Sequence, residues 1–245
     1  MTFPQLLRRG VAAGAIAGAL AAVYLLLLVE PLIEKALVIE EAREHGHSHG
    51  HEEELVSRLG QVLGAIGTLA VVGIIFGIVL AVVFAASRDR LPVVHDHGRS
   101  ALLAGIGFVV FALLPAIKLP ANPPGVGDPD SVDQRTVIYL ALIVLGIALA
   151  VAALSLDRTL AGHGLTGPVR STLLIGGSVL VAAVVLVLLP ASQDAVADDI
   201  PAALLWEFRL ASLGQLAVLW AALGLTFGVL VSRLPAARDA ELVAR

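Results

Sequence analysis

LLPAIKLPANPPGVGDPDSVDQRT, residues 113–136, holds five of the chain's twelve prolines: Pro115, Pro120, Pro123, Pro124 and Pro129. Proline has no backbone N–H and bars the residue before it from helical geometry, so the stretch is expected to continue neither flanking helix. It reads as a shaped, non-helical segment. The runs on both sides of it are apolar and long, and they decide the fold.

About 20 apolar residues are needed to cross a bilayer as a helix. By that measure six spans stand out, at 11–29, 62–86, 101–117, 137–156, 172–189 and 210–231, and none carries Asp, Glu, Lys, Arg or His in its interior. The chain of 245 residues is 58% hydrophobic and 15% charged, with a mean hydropathy of +0.92. Soluble domains lie near 45–50% apolar and about 25% charged. The expected fold is an all-α integral membrane protein of six transmembrane helices. Glycine and alanine crowd the spans, as in GVAAGAIAGALAA, and small residues let helices approach closely where lipid supplies no hydrophobic drive. Three helical hairpins in a compact bundle are therefore expected, with lipid around them.

Arg8 and Arg9 precede the first run as in a secretory signal. That run is long and ends at Glu30-Pro31, so it reads as a retained helix. Orientation follows the Lys/Arg balance. Arg8, Arg9, Arg88, Arg90, Arg99, Arg158, Arg170, Arg233, Arg238 and Arg245 fall on one side, against Lys35, Arg43, Arg58, Lys118, Arg135 and Arg209 on the other. The reading is a multi-pass protein of the inner (cytoplasmic) membrane with both termini cytoplasmic. Residues 1–233 form the membrane domain, 40–54 a His/Glu-rich outward loop, and 234–245 a cytoplasmic tail.

A weak internal repeat runs through the hairpins. The first helix of each is expected to end at a proline (Pro31, Pro115, Pro190), and the second to begin near an arginine (Arg58, Arg135, Arg209). An F-G pair follows at Phe76-Gly77 and at Phe227-Gly228. Common ancestry of the hairpins accounts for this; so does the habit of prolines and arginines to mark helix ends at interfaces.

Four histidines alternate in HGHSHGH: His45, His47, His49 and His51. An extended chain places alternate side chains on one side, and imidazole suits zinc, cobalt, nickel and copper. Acidic residues flank the tract. It reads as a capture site for a divalent transition metal, or else as a pH-responsive polar loop. His95-Asp96-His97 forms a smaller candidate site on the opposite side, while His163 is read as a plain loop residue. In the proline stretch, Asn122, Asp128, Asp130 and Asp133 offer oxygen ligands beside a stiff frame. That loop serves either as an entry vestibule or as a structural cap whose Asp130 or Asp133 caps the fourth helix. Glu207 and Arg209 read as a surface pair.

No cysteine is present, which excludes disulfides, thiolate zinc sites and iron–sulfur clusters. A net charge of −4 without a basic patch argues against nucleic acid. There is no P-loop motif, no nucleophile–base arrangement and no mid-membrane carboxylate relay, so the chain is not expected to be an enzyme. Tyr24, Glu30, Gln61, Tyr139 and Gln215 are the polar groups closest to the hydrocarbon and the candidates for a path.

Residues 114–140, LPAIKLPANPPGVGDPDSVDQRTVIYL, resemble the signature loop of the CbtA family of predicted cobalt transporter subunits. Lys118, Pro120, Asn122, Pro123, Pro124, Val126, Gly127, Asp128, Pro129, Ser131, Val132 and Arg135 fit its pattern; Leu119 stands where the family commonly has an aromatic residue. IPAALLWEFRLASLGQLAVLWAALGLTFG, residues 200–228, and the glycine-rich residues 9–22 are similar to two further blocks of the family. The resemblance implies cobalt import with a small one-helix, His-bearing partner of the CbtB type, near cobalamin-synthesis functions. Cobalt, nickel or zinc is then cargo, with no cofactor permanently bound. The alternative function is a non-transporting scaffold or metal-sensing subunit that docks such a partner. The metal and the oligomeric state are open at the level of sequence.

Overall fold

The computed structural model describes residues 1–44, 57–190, 196 and 199–233. The expected histidine tract at His45, His47, His49 and His51 and the tail at 234–245 lie outside the described residues. Six helices are long and apolar enough to cross a membrane. They are α1 (Phe3–Arg43), α2 (Arg58–Ser87), α3 (Asp96–Lys118), α4 (Val132–Gly162), α5 (Gly167–Leu188) and α6 (Ala202–Ser232). The all-α, six-span expectation therefore holds, and no strand occurs among the described residues.

Two prolines behave differently from expectation. Pro31 does not end the first helix, and Pro115 does not end the third. In each case a five-residue π-helical turn stands just before the X-Pro pair: Leu25–Val29 before Glu30-Pro31, and Val109–Leu113 before Leu114-Pro115. The extra residue in the turn moves the backbone away from the pyrrolidine ring, so the helix passes the proline with a local widening rather than a stop. α1 thus continues to residue 44, and residues 40–44, expected in a loop, are its last turn. A helix of 41 residues measures roughly 60 Å at 1.5 Å per residue, so it projects well past a hydrocarbon core of about 30 Å. The non-helical part of the proline stretch shrinks to residues 119–128, followed by the 3₁₀ turn Pro129–Ser131.

Packing is unequal among the helices. α1 is central, lying against α2 and α6, and α6 also packs along α3. Between α1 and α2 the contact is backbone on backbone. A Cβ on Gly10, Gly14, Gly73 or Gly77 would overlap the carbonyl oxygen opposite, and one on Gly18 would sit 2.5 Å from the Leu69 carbonyl oxygen. Only glycine permits this spacing. α4 rests on α3 through Gly146 against Val110, and α5 packs mainly on α4 and buries no residue. The compact bundle is therefore four helices (α1, α2, α3, α6) with α4 and α5 attached to one side. Of the three expected hairpins, α1–α2 is tightly packed and α3–α4 is looser. α5 and α6 do not pack as a pair.

Two of the three prolines in the repeat share a local structure, and Pro190 does not. Both π turns sit at the same offset from their prolines, and both F-G pairs use the glycine for close approach: Gly77 against Gly10, and Gly228 against His97.

Candidate functional site

The end of the bundle that carries Pro31, Pro115 and Pro190 gathers most of the sequence's polar candidates. Here α2 buries nothing before Gly73, and α6 buries nothing between Phe208 and Leu219. At the opposite end both helices are filled by Leu80, Ala81, Phe84, Leu219, Leu223, Phe227 and Val231, with Phe84 and Phe227 edge-to-face at 5.4 Å. At the proline end α6 and α1 are joined instead through Leu204, Phe208, Leu25, Val29, Leu32 and Ala36. It is the first half of α2 that stays uncovered there. Nearer the other end a cavity of about 400 Å³ opens between α3 and α6 beside Ala104, Phe108, Trp220 and Gly224. Three aromatic rings lie between the two ends. Phe76 of α2 is 4.8 Å from Trp220 of α6 and 5.6 Å from Phe111 in the α3 π turn, and Phe111 stacks on Trp220 at 5.8 Å.

Glu30 follows the α1 π turn, and its mostly covered carboxylate accepts from Nη2 of Arg58. Nη1 of Arg58 donates to Gln61 Oε1 at 3.0 Å, while its buried Nε has no acceptor. Arg209, the repeat counterpart of Arg58, donates from Nη2 to Asn122 Oδ1 at 2.9 Å, and its Nε is likewise buried without an acceptor. Arg209 is therefore not simply a surface partner of Glu207; it ties α6 to the proline loop. Tyr24 meets α6 at Gly214, where a Cβ would overlap the phenol oxygen, and Gln215 is the next residue, half-buried. Tyr24, Glu30, Gln61 and Gln215 thus belong to the α1–α2–α6 group. Tyr139 stands apart: it is on α4 and donates to the Phe111 carbonyl at 3.3 Å.

The proline loop is held on several sides. Pro123 is fully buried, and Ala121 packs in a cluster with Leu25, Val29, Leu204 and Phe208. Asp128 Oδ1 accepts from the Asp130 amide at 2.9 Å, and the Asp128 carbonyl accepts from the Ser131 amide and hydroxyl at 3.0 and 2.7 Å. The capping carboxylate is thus Asp128, acting on the 3₁₀ turn; the residue at the α4 N-cap is Ser131. Asp130 and Asp133 are exposed. Gly125, at φ +72°, adopts a conformation that a side chain disfavours, and its carbonyl accepts from Arg43 at 3.3 Å. Arg43 also grips Asp199 through two bonds, 2.9 and 2.7 Å. These bonds hold the exposed Asp199 carboxyl below the usual carboxylate range. Lys118 donates to the Leu186 and Leu189 carbonyls at 2.9 and 2.7 Å, capping α5 with a cation.

At the other end, His95 is the exposed N-cap of α3 and His97 packs on Gly228. Asp96 between them is occupied: Arg88 binds both of its oxygens at 2.9 and 2.8 Å, and Arg99 adds a bond at 2.9 Å. Ser100 is buried and donates to the Gly224 carbonyl at 2.7 Å. His163 ends α4, exposed. No group of three or more His, Cys, Asp or Glu placed to hold a metal occurs among the described residues. Arg43 and Asp199, and the aromatic trio, were not singled out from sequence. Arg58 and Arg209 were seen as repeat markers, and their shared position at the start of an apolar helix was the available signal.

Six apolar helices around a glycine-packed core, with polar groups collected at one end, define a multi-pass integral membrane protein. A family model described as "Probable cobalt transporter subunit (CbtA)" matches residues 3–232, from the first residue of α1 to the last of α6. The chain belongs to the CbtA family. No curated protein and no solved structure matches it.

Proposed function

We propose that the protein imports a divalent transition-metal cation, cobalt foremost, across the inner membrane as one subunit of a transporter and not as an enzyme. The Lys/Arg balance orients the proline end outward and both termini toward the cytoplasm. The observation that carries the reading is the gathering of Tyr24, Glu30, Arg58, Gln61 and Gln215 where α1, α2 and α6 meet, at one end of an otherwise apolar bundle. Polar side chains grouped at one mouth of an apolar bundle suit the entrance of a cation path. In this scheme His45, His47, His49 and His51 concentrate the ion outside, the loop of Asn122, Asp128, Asp130 and Asp133 frames the entrance, and His95 and His97 receive the ion inside. Membrane potential supplies about 2.3 kcal/mol per charge per 100 mV, hence roughly twice that for a divalent cation.

Cobalt and nickel uptake into vesicles containing the protein, with and without a small His-bearing one-helix partner, tests this. Uptake that falls on deletion of residues 45–51 and on Asp128→Asn supports the route; flux unchanged by both overturns it. Partner co-purification with no flux in any combination favours the scaffold or sensor reading.

A further inference from the structure

The π turn of α1 leaves backbone oxygens without their helical donors. The Glu30 amide, which would serve the Leu26 carbonyl in an α-helix, donates instead to Leu25. The next amide would serve Leu27, but residue 31 is proline and has none. Glu30 stands four and three residues after Leu26 and Leu27 and so belongs to the same face of the helix. Two carbonyls short of helical donors and one carboxylate thus share a face of α1, an arrangement of like polarity that favours a cation.

The second hairpin shows the contrast. In α3 the Leu114 amide goes to Val109 and Pro115 has none, so Val110 and Phe111 are deprived in the same way. There Tyr139 donates to Phe111, and the position equivalent to Glu30 is Leu114, with no charge. One π turn is served by a neutral hydroxyl, while the other carries a carboxylate that accepts from a side-chain donor of α2.

That donor is Arg58, and its grip is incomplete. Arg43 on Asp199 and Arg88 on Asp96 both use Nε and Nη2 as a two-pronged fork. Arg58 gives only Nη2 to Glu30, spends Nη1 on Gln61, and leaves Nε buried without an acceptor. A two-pronged pair is the stronger and more specific one.

We propose that Glu30, with the Leu26 and Leu27 carbonyls and Gln61 Oε1, is a binding site for a divalent cation, and that Arg58 is a tethered substitute that the ion displaces. The donor set is all oxygen, suited to a hydrated divalent ion such as Co²⁺ or Mn²⁺. This deepens the transport reading, on which it rests for the identity of the ion.

The test is equilibrium binding of Co²⁺ to the full-length protein in detergent, with His45, His47, His49 and His51 replaced by serine to silence the tract. Glu30→Gln is expected to weaken binding about tenfold or more, and Arg58→Gln to tighten it by a similar factor, since a neighbouring guanidinium competes for the carboxylate. Glu30→Asp and Arg58→Lys, which keep the charges and the fold, are expected to fall between. Arg58→Gln that leaves binding unchanged or weakens it overturns the proposal and makes the pair structural. Opposite effects of the two variants without any vesicle flux uphold the site and overturn transport. Flux with binding indifferent to both variants does the reverse.

Discussion

Adding a single methyl group to the α1–α2 seam should be far more damaging than adding it one turn outside the seam. A Cβ on Gly18 would stand 2.5 Å from the Leu69 carbonyl oxygen and 2.9 Å from the Ala70 Cα. Ordinary contact lies near 3.5 Å, so Gly18→Ala must push the helices apart by about 1 Å, which forfeits a quarter to a half of the dispersion energy along the contact. Both atoms met are backbone and cannot rotate away. Overpacking of this kind costs about 1–3 kcal/mol, a fall of roughly 2–12 °C in apparent Tm for a chain of this size. Gly67 lies on the same α2 with nothing within 4 Å of its Cβ position. There, Gly→Ala relieves backbone entropy and gains about 0.5–1 kcal/mol. Thermal unfolding in detergent, followed by helicity, compares the two. Gly18→Ala no more destabilising than Gly67→Ala would refute the backbone-contact argument.

Two further outcomes follow from single contacts. Because Arg43 holds the Asp199 carboxyl low, the contribution of that clamp is complete above the unfolded value of about 3.9 and is lost as pH falls through the lower folded value. The stability difference between the wild type and Asp199→Asn should therefore be flat from neutral pH down to about 4 and vanish only below it; a difference gone by mildly acidic pH contradicts this. Ser100 has no exposed surface and bonds the Gly224 carbonyl, so Ser100→Ala should cost about 0.6–1.5 kcal/mol. Ser100→Leu, which puts a larger side chain at a position with no exposed surface, should cost more, as read by the same unfolding assay.

Much of the site was visible in sequence as separate residues. Glu30, Gln61, Tyr24 and Gln215 stand out because polar groups at the edge of apolar spans are few. What they do depends on pairs separated by 28 residues for Glu30–Arg58 and 87 for Asn122–Arg209, which no local pattern encodes. Pro31 and Pro115 were misread because a local rule, that proline stops a helix, was overridden by a π turn whose fit depends on neighbouring packing. Asp96 looked like a ligand beside two histidines, yet Arg88 and Arg99 claim its oxygens.

The chain alone determined that it crosses a membrane six times, because the length and apolarity of a span are one-dimensional properties matched to bilayer thickness. It also marked the spans as rich in glycine and alanine, without saying which of them meet. The tertiary structure decided that four helices form the core, that α1 and α2 meet backbone on backbone at their glycines, and that Arg58 lies on Glu30. Those outcomes depend on which helix faces meet. In lipid, where every apolar face is equally well solvated, that choice rests on close contact and a few polar bonds rather than on hydrophobic pattern.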